Sequence, residues 1–394
     1  MKNSQNQLKD KIIQKIKNQK DQRITFYEFM KMALYEPDLG YYTKNRTKIG
    51  KAADFYTSST VGPVFGKTIA NTFLELLPYS TDKEDYTILE MGGGDGRFAR
   101  DALTGIKEKN LHIYEKLIYY MIETSPYHQD LQRERLKEHL DHVKWVDRLE
   151  EIPQPFQGVI FSNELVDAFP VHLVQMKEGK LKEIYVTWDE EKGDFAQITD
   201  EISTKELETY FLEQKIILKE EQIAEVNLDA IQWLETIVKF LDKGYVITID
   251  YGYPADELYA SHRQNGTLMC YHRHVANENP YQKIGDQDIT SHVNFTELIN
   301  RGEKLGLKTI LFTTQSYFLL NSGILEYLQE IELNQMLQRD LFHDEALKMN
   351  RAIRQLITPG EMGETFKVLV QQKNVSDHQF RFMTGIIEQY GLSM

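Results

Sequence analysis

The sequence predicts an α/β fold: a mostly parallel, Rossmann-like sheet with an added helical N-terminal region and an inserted subdomain. Three observations lead there. Short apolar runs alternate with amphipathic helical stretches from residue 61 onward, and such a βαβα order places helices on both faces of a parallel sheet. One apolar run ends in Glu90-Met-Gly92-Gly-Gly94-Asp-Gly96 and passes directly into helical spacing. Between residues 171 and 239 the pattern changes to hairpin alternation and then to an acidic helical stretch, which interrupts that order.

The elements follow in chain order. Residues 24–35 have helical spacing, with Thr25 and Glu28 forming a capping box and Pro37 and Gly40 ending the helix. A loop over 41–59 leads to a second helix at 61–77. Strands are expected at 86–91, 117–123, 143–146, 158–162 and 245–250, with helices at 97–109 and 128–142 between the early ones. A hairpin over 171–198 turns near Glu178-Gly179-Lys180, and 203–241 is helical. Two further strands, 307–313 and 366–371, bracket a helical stretch at 322–357. The expected division is 1–85 for the N-terminal helices and a covering loop, 86–170 for the first part of the core, 171–241 for the insertion and 242–394 for the rest.

The 394 residues carry 46 Lys/Arg against 60 Asp/Glu, a formal charge of -14. Nucleic-acid binding is driven by cationic side chains neutralising phosphates, so an acidic chain argues against a nucleic-acid partner. No apolar run approaches the roughly 20 residues that span a bilayer. Cys270 is the single cysteine, so no internal disulfide and no multi-cysteine metal site can form. This composition points to a reducing compartment, and the expectation is a cytoplasmic protein. Residues 1–23 hold seven Lys/Arg and two Asp/Glu. That basic start reads as a solvated lysine-rich helix, with a targeting or docking segment as the alternative. Cys270, His272 and His274 alternate and could share a face, but the segment reads as a polar loop and no metal is expected.

The glycine turn is the sharpest local signal. Glycines are required where a strand turns tightly into a helix and the backbone must approach a ligand. A nicotinamide fingerprint is a weak match, because Arg97 stands where the third glycine falls, and no Gly-Lys-Ser/Thr of a phosphate loop follows. The E-x-G-x-G-x-G turn of S-adenosylmethionine (SAM) methyltransferases is present in full as Glu90, Gly92, Gly94 and Gly96; a purely structural turn is the remaining alternative. Glu123 ends the second strand, where a carboxylate can accept hydrogen bonds from both ribose hydroxyls. Asp147, after the third, is a candidate for the adenine amino group or a solvated loop acid.

The fourth strand ends in Asn163-Glu164-Leu-Val-Asp167-Ala-Phe-Pro170. Ligands of open α/β sheets bind outside the carboxyl ends of the strands, which makes Asn163, Glu164 and Asp167 the catalytic candidates. If this turn is helical, Glu164 and Asp167 share a side and can clamp a planar guanidinium. The alternative is a pair of acids favoured by a helix start.

In this order the motifs resemble one family, the MidA-type SAM methyltransferases, which include the mitochondrial complex I assembly methyltransferase. The resemblance spans residues 24–371. It rests on Glu28-Phe-Met, Gly40-Tyr-Tyr, Asp54-Phe55-Tyr-Thr57-Ser, Val64-Phe-Gly66, the glycine turn, Glu123-Thr-Ser-Pro126, Asn163-Glu164…Asp167-Ala-Phe-Pro170, Asp250-Tyr-Gly252, Asp288…His292 and Met362-Gly-Glu364. It implies a class I methyltransferase sheet, SAM as cofactor, and an N-terminal loop with Asp54, Phe55 and Thr57 folded over that cofactor. It also implies a protein substrate methylated on arginine, a respiratory-complex subunit among the candidates. A non-catalytic SAM-binding assembly factor, acting through protein contacts, is the alternative. Ala53 and Asn294 depart from the family pattern, which favours Gly and Asp there.

Overall fold

The computed structural model describes residues 2–44, 58–273, 275–329, 345–358 and 362–384. The chain divides into two compact units. One gathers residues 56–165, 236–251 and 302–394, and the other 1–55, 166–235 and 252–301.

The first unit is built on seven strands: β1 (Tyr86–Met91), β2 (Leu117–Ile122), β3 (Val143–Val146), β4 (Phe156–Asn163), β5 (Leu241–Tyr253), β6 (Lys308–Thr314) and β7 (Phe366–Lys373). Their order is β6-β7-β5-β4-β1-β2-β3. Strands β3, β2, β1, β4 and β5 are parallel, and β7 runs antiparallel to both β5 and β6. This is the class I methyltransferase fold. The central strands are near-continuous apolar runs because both sheet faces are covered. On one face Ile88, Tyr119, Val159 and Ile247 join a single core with Phe73 and Phe98. Phe98 stacks on Phe161 at 4.3 Å between centroids. Burying such a ring contributes about 2–3 kcal/mol. Two helices, Val64–Ser80 and Arg97–Lys109, approach closely there: a Cβ on Gly66 would fall 2.7 Å from Asp101 Cβ.

The second unit holds an antiparallel five-stranded sheet made of Arg23–Thr25, His172–Lys177, Lys180–Asp189, Asp194–Asp200 and Ile223–Val226. The helix Phe26–Tyr35 packs on it, and its Thr25–Glu28 capping box forms as expected. The helix Lys2–Asn18 corrects the expectation of a solvated face. Leu8, Ile12 and Ile16 are buried in the same core, and Lys11, Lys15 and Lys17 pair with Glu36, Glu28 and Glu190. Apolar residues every fourth position, hidden among lysines, are the reason.

Other departures have local causes. The helix expected over 128–142 is Pro126–Arg135 followed by a short 3-10 turn. The stretch expected to be helical at 203–241 is broken by strand Ile223–Val226, which pairs with His172–Lys177. The expected boundaries also differ from the observed units. Arg23–Thr25 pairs with Lys180–Asp189, so the N-terminal segment folds with the insertion, whereas Val64–Ser80 packs into the parallel-sheet core. Cys270 is buried on strand Met269–His272, and His274 lies outside the described residues. Among the described residues no His/Cys/Asp/Glu group is arranged to hold a metal, and no helix is long and apolar enough to cross a membrane.

Candidate active site

The site is read at the carboxyl ends of β1, β2, β3 and β4. Beyond Met91 the backbone turns through Gly92, Gly94 and Gly96 at φ of 76°, 50° and 81°, a region that penalises any side chain. Gly96 is the N-cap of the helix Arg97–Lys109, and a Cβ there would lie 3.2 Å from Gln132 Cα. A Cβ on Gly92 would lie 3.0 Å from Leu165 Cδ1, so the glycine turn and the segment after β4 touch. Gly93, which the motif leaves open, is tightly enclosed as well: its Cβ would fall 2.5 Å from Met121 Cε and 3.0 Å from Glu90 Oε2.

Glu90 is almost fully buried at the end of β1 and accepts a 3.1 Å hydrogen bond from the Tyr119 hydroxyl. Burial pushes its carboxyl up to about 8. The Tyr119 bond opposes the rise and the Asp95 charge adds to it. Asp95, just before the next helix, accepts from Arg97 N at 3.2 Å and lies 3.3 Å from Arg135.

Glu123 follows β2. Its Oε1 accepts from Ser125 N at 2.8 Å, and His128 Nδ1 is 3.7 Å from Oε2. Ser125 caps the helix Pro126–Arg135, with Pro126 at its first turn. Gln129 Nε2 donates to Glu123 O at 2.6 Å and to Asp147 Oδ1 at 3.4 Å, bridging the ends of β2 and β3; Asp147 itself is exposed. The structure therefore brings the glycine turn, Glu90, Glu123 and Asp147 to one sheet edge.

After β4, Glu164 has φ of 53°, strained for a residue with a Cβ. Its Oε1 accepts from Ser58 N and from Asn163 Nδ2, each at 3.0 Å. The Ser58 hydroxyl donates to buried Gln315 at 3.1 Å. The turn is helical only over Val166–Ala168. Glu164 lies before it, so the condition for Glu164 and Asp167 to share a helical side is not met. Asp167 is buried in the second unit, where its carbonyl accepts from Ser291 N at 3.1 Å. Asp54, Phe55 and Thr57 lie outside the described residues.

Sequence reasoning missed Gln132 and Tyr119, both fully buried, and Trp145. Their partners are distant in sequence, and no spacing marks them. Asn294 gains a rationale. Its amide donates to Tyr210 OH and to Gln214 Oε1, each at 2.8 Å, which an Asp could not do.

A fold of this kind with a glycine cradle and strand-end acids defines a SAM-dependent methyltransferase. Residues 68–313 match the family described as "Putative S-adenosyl-L-methionine-dependent methyltransferase", and the chain belongs to that family. Two solved structures of Burkholderia thailandensis proteins resemble it over 97% of this chain and 95% of theirs. One, bound to S-adenosyl-homocysteine, is 29% identical with a TM-score of 0.86, and the other is 30% identical at 0.84. A mitochondrial protein named protein arginine methyltransferase NDUFAF7 homolog, from Drosophila melanogaster, is 24% identical over 87% of this chain and 80% of its own length. Its Danio rerio counterpart is 24% identical over 87% and 82%. The expected cytoplasmic location is corrected here, because both of these relatives are mitochondrial proteins by name.

The residues present fit SAM. The glycine cradle admits a ligand against bare backbone. Two buried oxygens beside it, Ser162 Oγ and Asn163 Oδ1, have no hydrogen-bond partner among the described residues.

Proposed function

We propose that this methyltransferase acts on arginine side chains of a protein substrate. In this reading Glu90, Gly92, Gly94, Gly96, Glu123 and Asp147 hold the donor, and Asn163 and Glu164 face the acceptor. When bound, SAM supplies an electrophilic methyl group on a sulfonium. The protein's task is to hold the acceptor nitrogen in line, exclude water and neutralise the guanidinium. The observation that carries the reading is Glu164. It is held in a strained conformation at the carboxyl edge of β4, and the next residue, Leu165, lies against the glycine turn. A carboxylate carried on a strained backbone next to a donor cradle suits a planar cation, and the two curated relatives bear the name of arginine methyltransferases.

The test is methylation in vitro with labelled SAM and arginine-bearing protein fractions, followed by hydrolysis and separation of methylated amino acids. Methylarginine that disappears with Glu164→Gln is the expected result. Label found only on lysine, or on no amino acid, would overturn the assignment of the acceptor.

A further inference from the structure

We propose that Gln132 is a positioning residue for the methyl donor, tying the glycine turn to the carboxylate of Glu123. Gln132 lies on the helix Pro126–Arg135 and has no exposed surface. Three groups from three strand ends converge on its amide. Nε2 donates to Gly94 O at 2.8 Å and lies 3.5 Å from Glu123 Oε2, while Oε1 accepts from Trp145 Nε1 at 2.8 Å. The orientation of the amide follows from chemistry. An indole N–H can only donate, so it must meet the amide oxygen, and that turns the NH2 group toward Gly94 and Glu123. Trp145 is itself held, with the Arg133 guanidinium 4.1 Å from its ring centre.

A residue needed only to fill this space would be apolar, because a buried amide is costly unless its partners are met. Here they are met by the turn that cradles the donor and by the acid expected at its ribose. Ser125 N–H holds Glu123 Oε1 and the Gln132 amide stands beside Oε2, so the two donors fix the plane of the carboxylate. Gly96 adds a steric link, since a Cβ there would crowd Gln132 at 3.2 Å. Gln132 thus sets the turn and the ribose acid in one geometry. The inference rests on placing the donor's ribose at Glu123.

The test is a double-mutant cycle read by calorimetric titration with SAM. Gln132→Leu should weaken binding about tenfold, the effect of releasing the Glu123 carboxylate from one of its two donors. Glu123→Ala should weaken it further, and the double variant should bind no worse than Glu123→Ala alone. Gln132→Glu supplies a second readout. Its carboxylate would face Gly94 O and Glu123 at pH 8, so binding should fall below that of Gln132→Leu and recover toward pH 5.5 as the acid protonates and donates. Losses that simply multiply in the double variant, with no pH-dependent recovery in Gln132→Glu, would show that Gln132 acts only on folding and overturn the proposal. Unchanged binding by Glu123→Ala would remove the ribose from Glu123 and the inference with it, while leaving arginine methylation intact.

Discussion

Glu90 makes the stability of this protein fall as pH rises toward 8, and Glu90→Gln should abolish that contribution. The carboxyl is buried and its folded value is about 8, against an ordinary value near 4.5. Below the ordinary value, both folded and unfolded chains carry the proton. Between the two values the folded chain keeps it and the unfolded chain has lost it. The folded state therefore binds more protons, and stability declines with pH until about 8. At 1.36 kcal/mol per pH unit, the decline between pH 6 and pH 9 is on the order of 2–3 kcal/mol. Glutamine is isosteric, can accept the Tyr119 hydroxyl bond and does not titrate. The variant should therefore melt progressively higher than the wild type as pH rises from 6 to 9, by several degrees at the upper end. Thermal unfolding of both chains, free of SAM, in matched buffers is the assay. A difference that stays constant or shrinks with pH would refute a buried, protonated Glu90. With SAM the sign changes. A cationic donor favours the ionised acid, so wild-type affinity should rise through this pH range and that of Glu90→Gln should not.

Other consequences follow from the geometry. Gly96→Val places a side chain at positive φ and against Gln132, and should lower SAM affinity by at least about a hundredfold in titration. Glu164→Gln keeps an oxygen for the Ser58 and Asn163 donors, so SAM binding should be spared while methyl transfer falls, on the order of a hundredfold, in single-turnover assays. Leu8→Ala should destabilise the unit containing the N-terminal helix by about 2–5 kcal/mol, seen as a lower urea midpoint and faster proteolysis near residue 20.

Much of the fold was legible along the chain because its signals are local. The alternation of apolar runs with helical spacing marks β1 to β7, and most clearly β1, β2 and β4, where parallel strands covered on both faces are near-continuous apolar runs. The Gly92–Gly96 turn carries its own reason in three positive φ values. The Thr25–Glu28 box is local chemistry too and forms as read, whereas the Ser125-Pro126 helix start, equally local, precedes the start expected at 128. Strand Ile223–Val226 was hidden because four residues between helices have no period long enough to declare themselves; its pairing with His172–Lys177 creates it.

What the sequence determined by itself was the class of chemistry: a strand-to-helix glycine turn with acids at the following strand ends, all within short reach of one another along the chain. The tertiary structure alone decided three things. The basic first helix buries Leu8, Ile12 and Ile16 rather than standing in water. Glu164 stands outside the helical turn that holds Asp167. And a polar residue with no motif, Gln132, became the junction of three strand ends. Each depends on contacts between separate elements, and contact chemistry of that kind leaves no periodic trace for a linear reading to find.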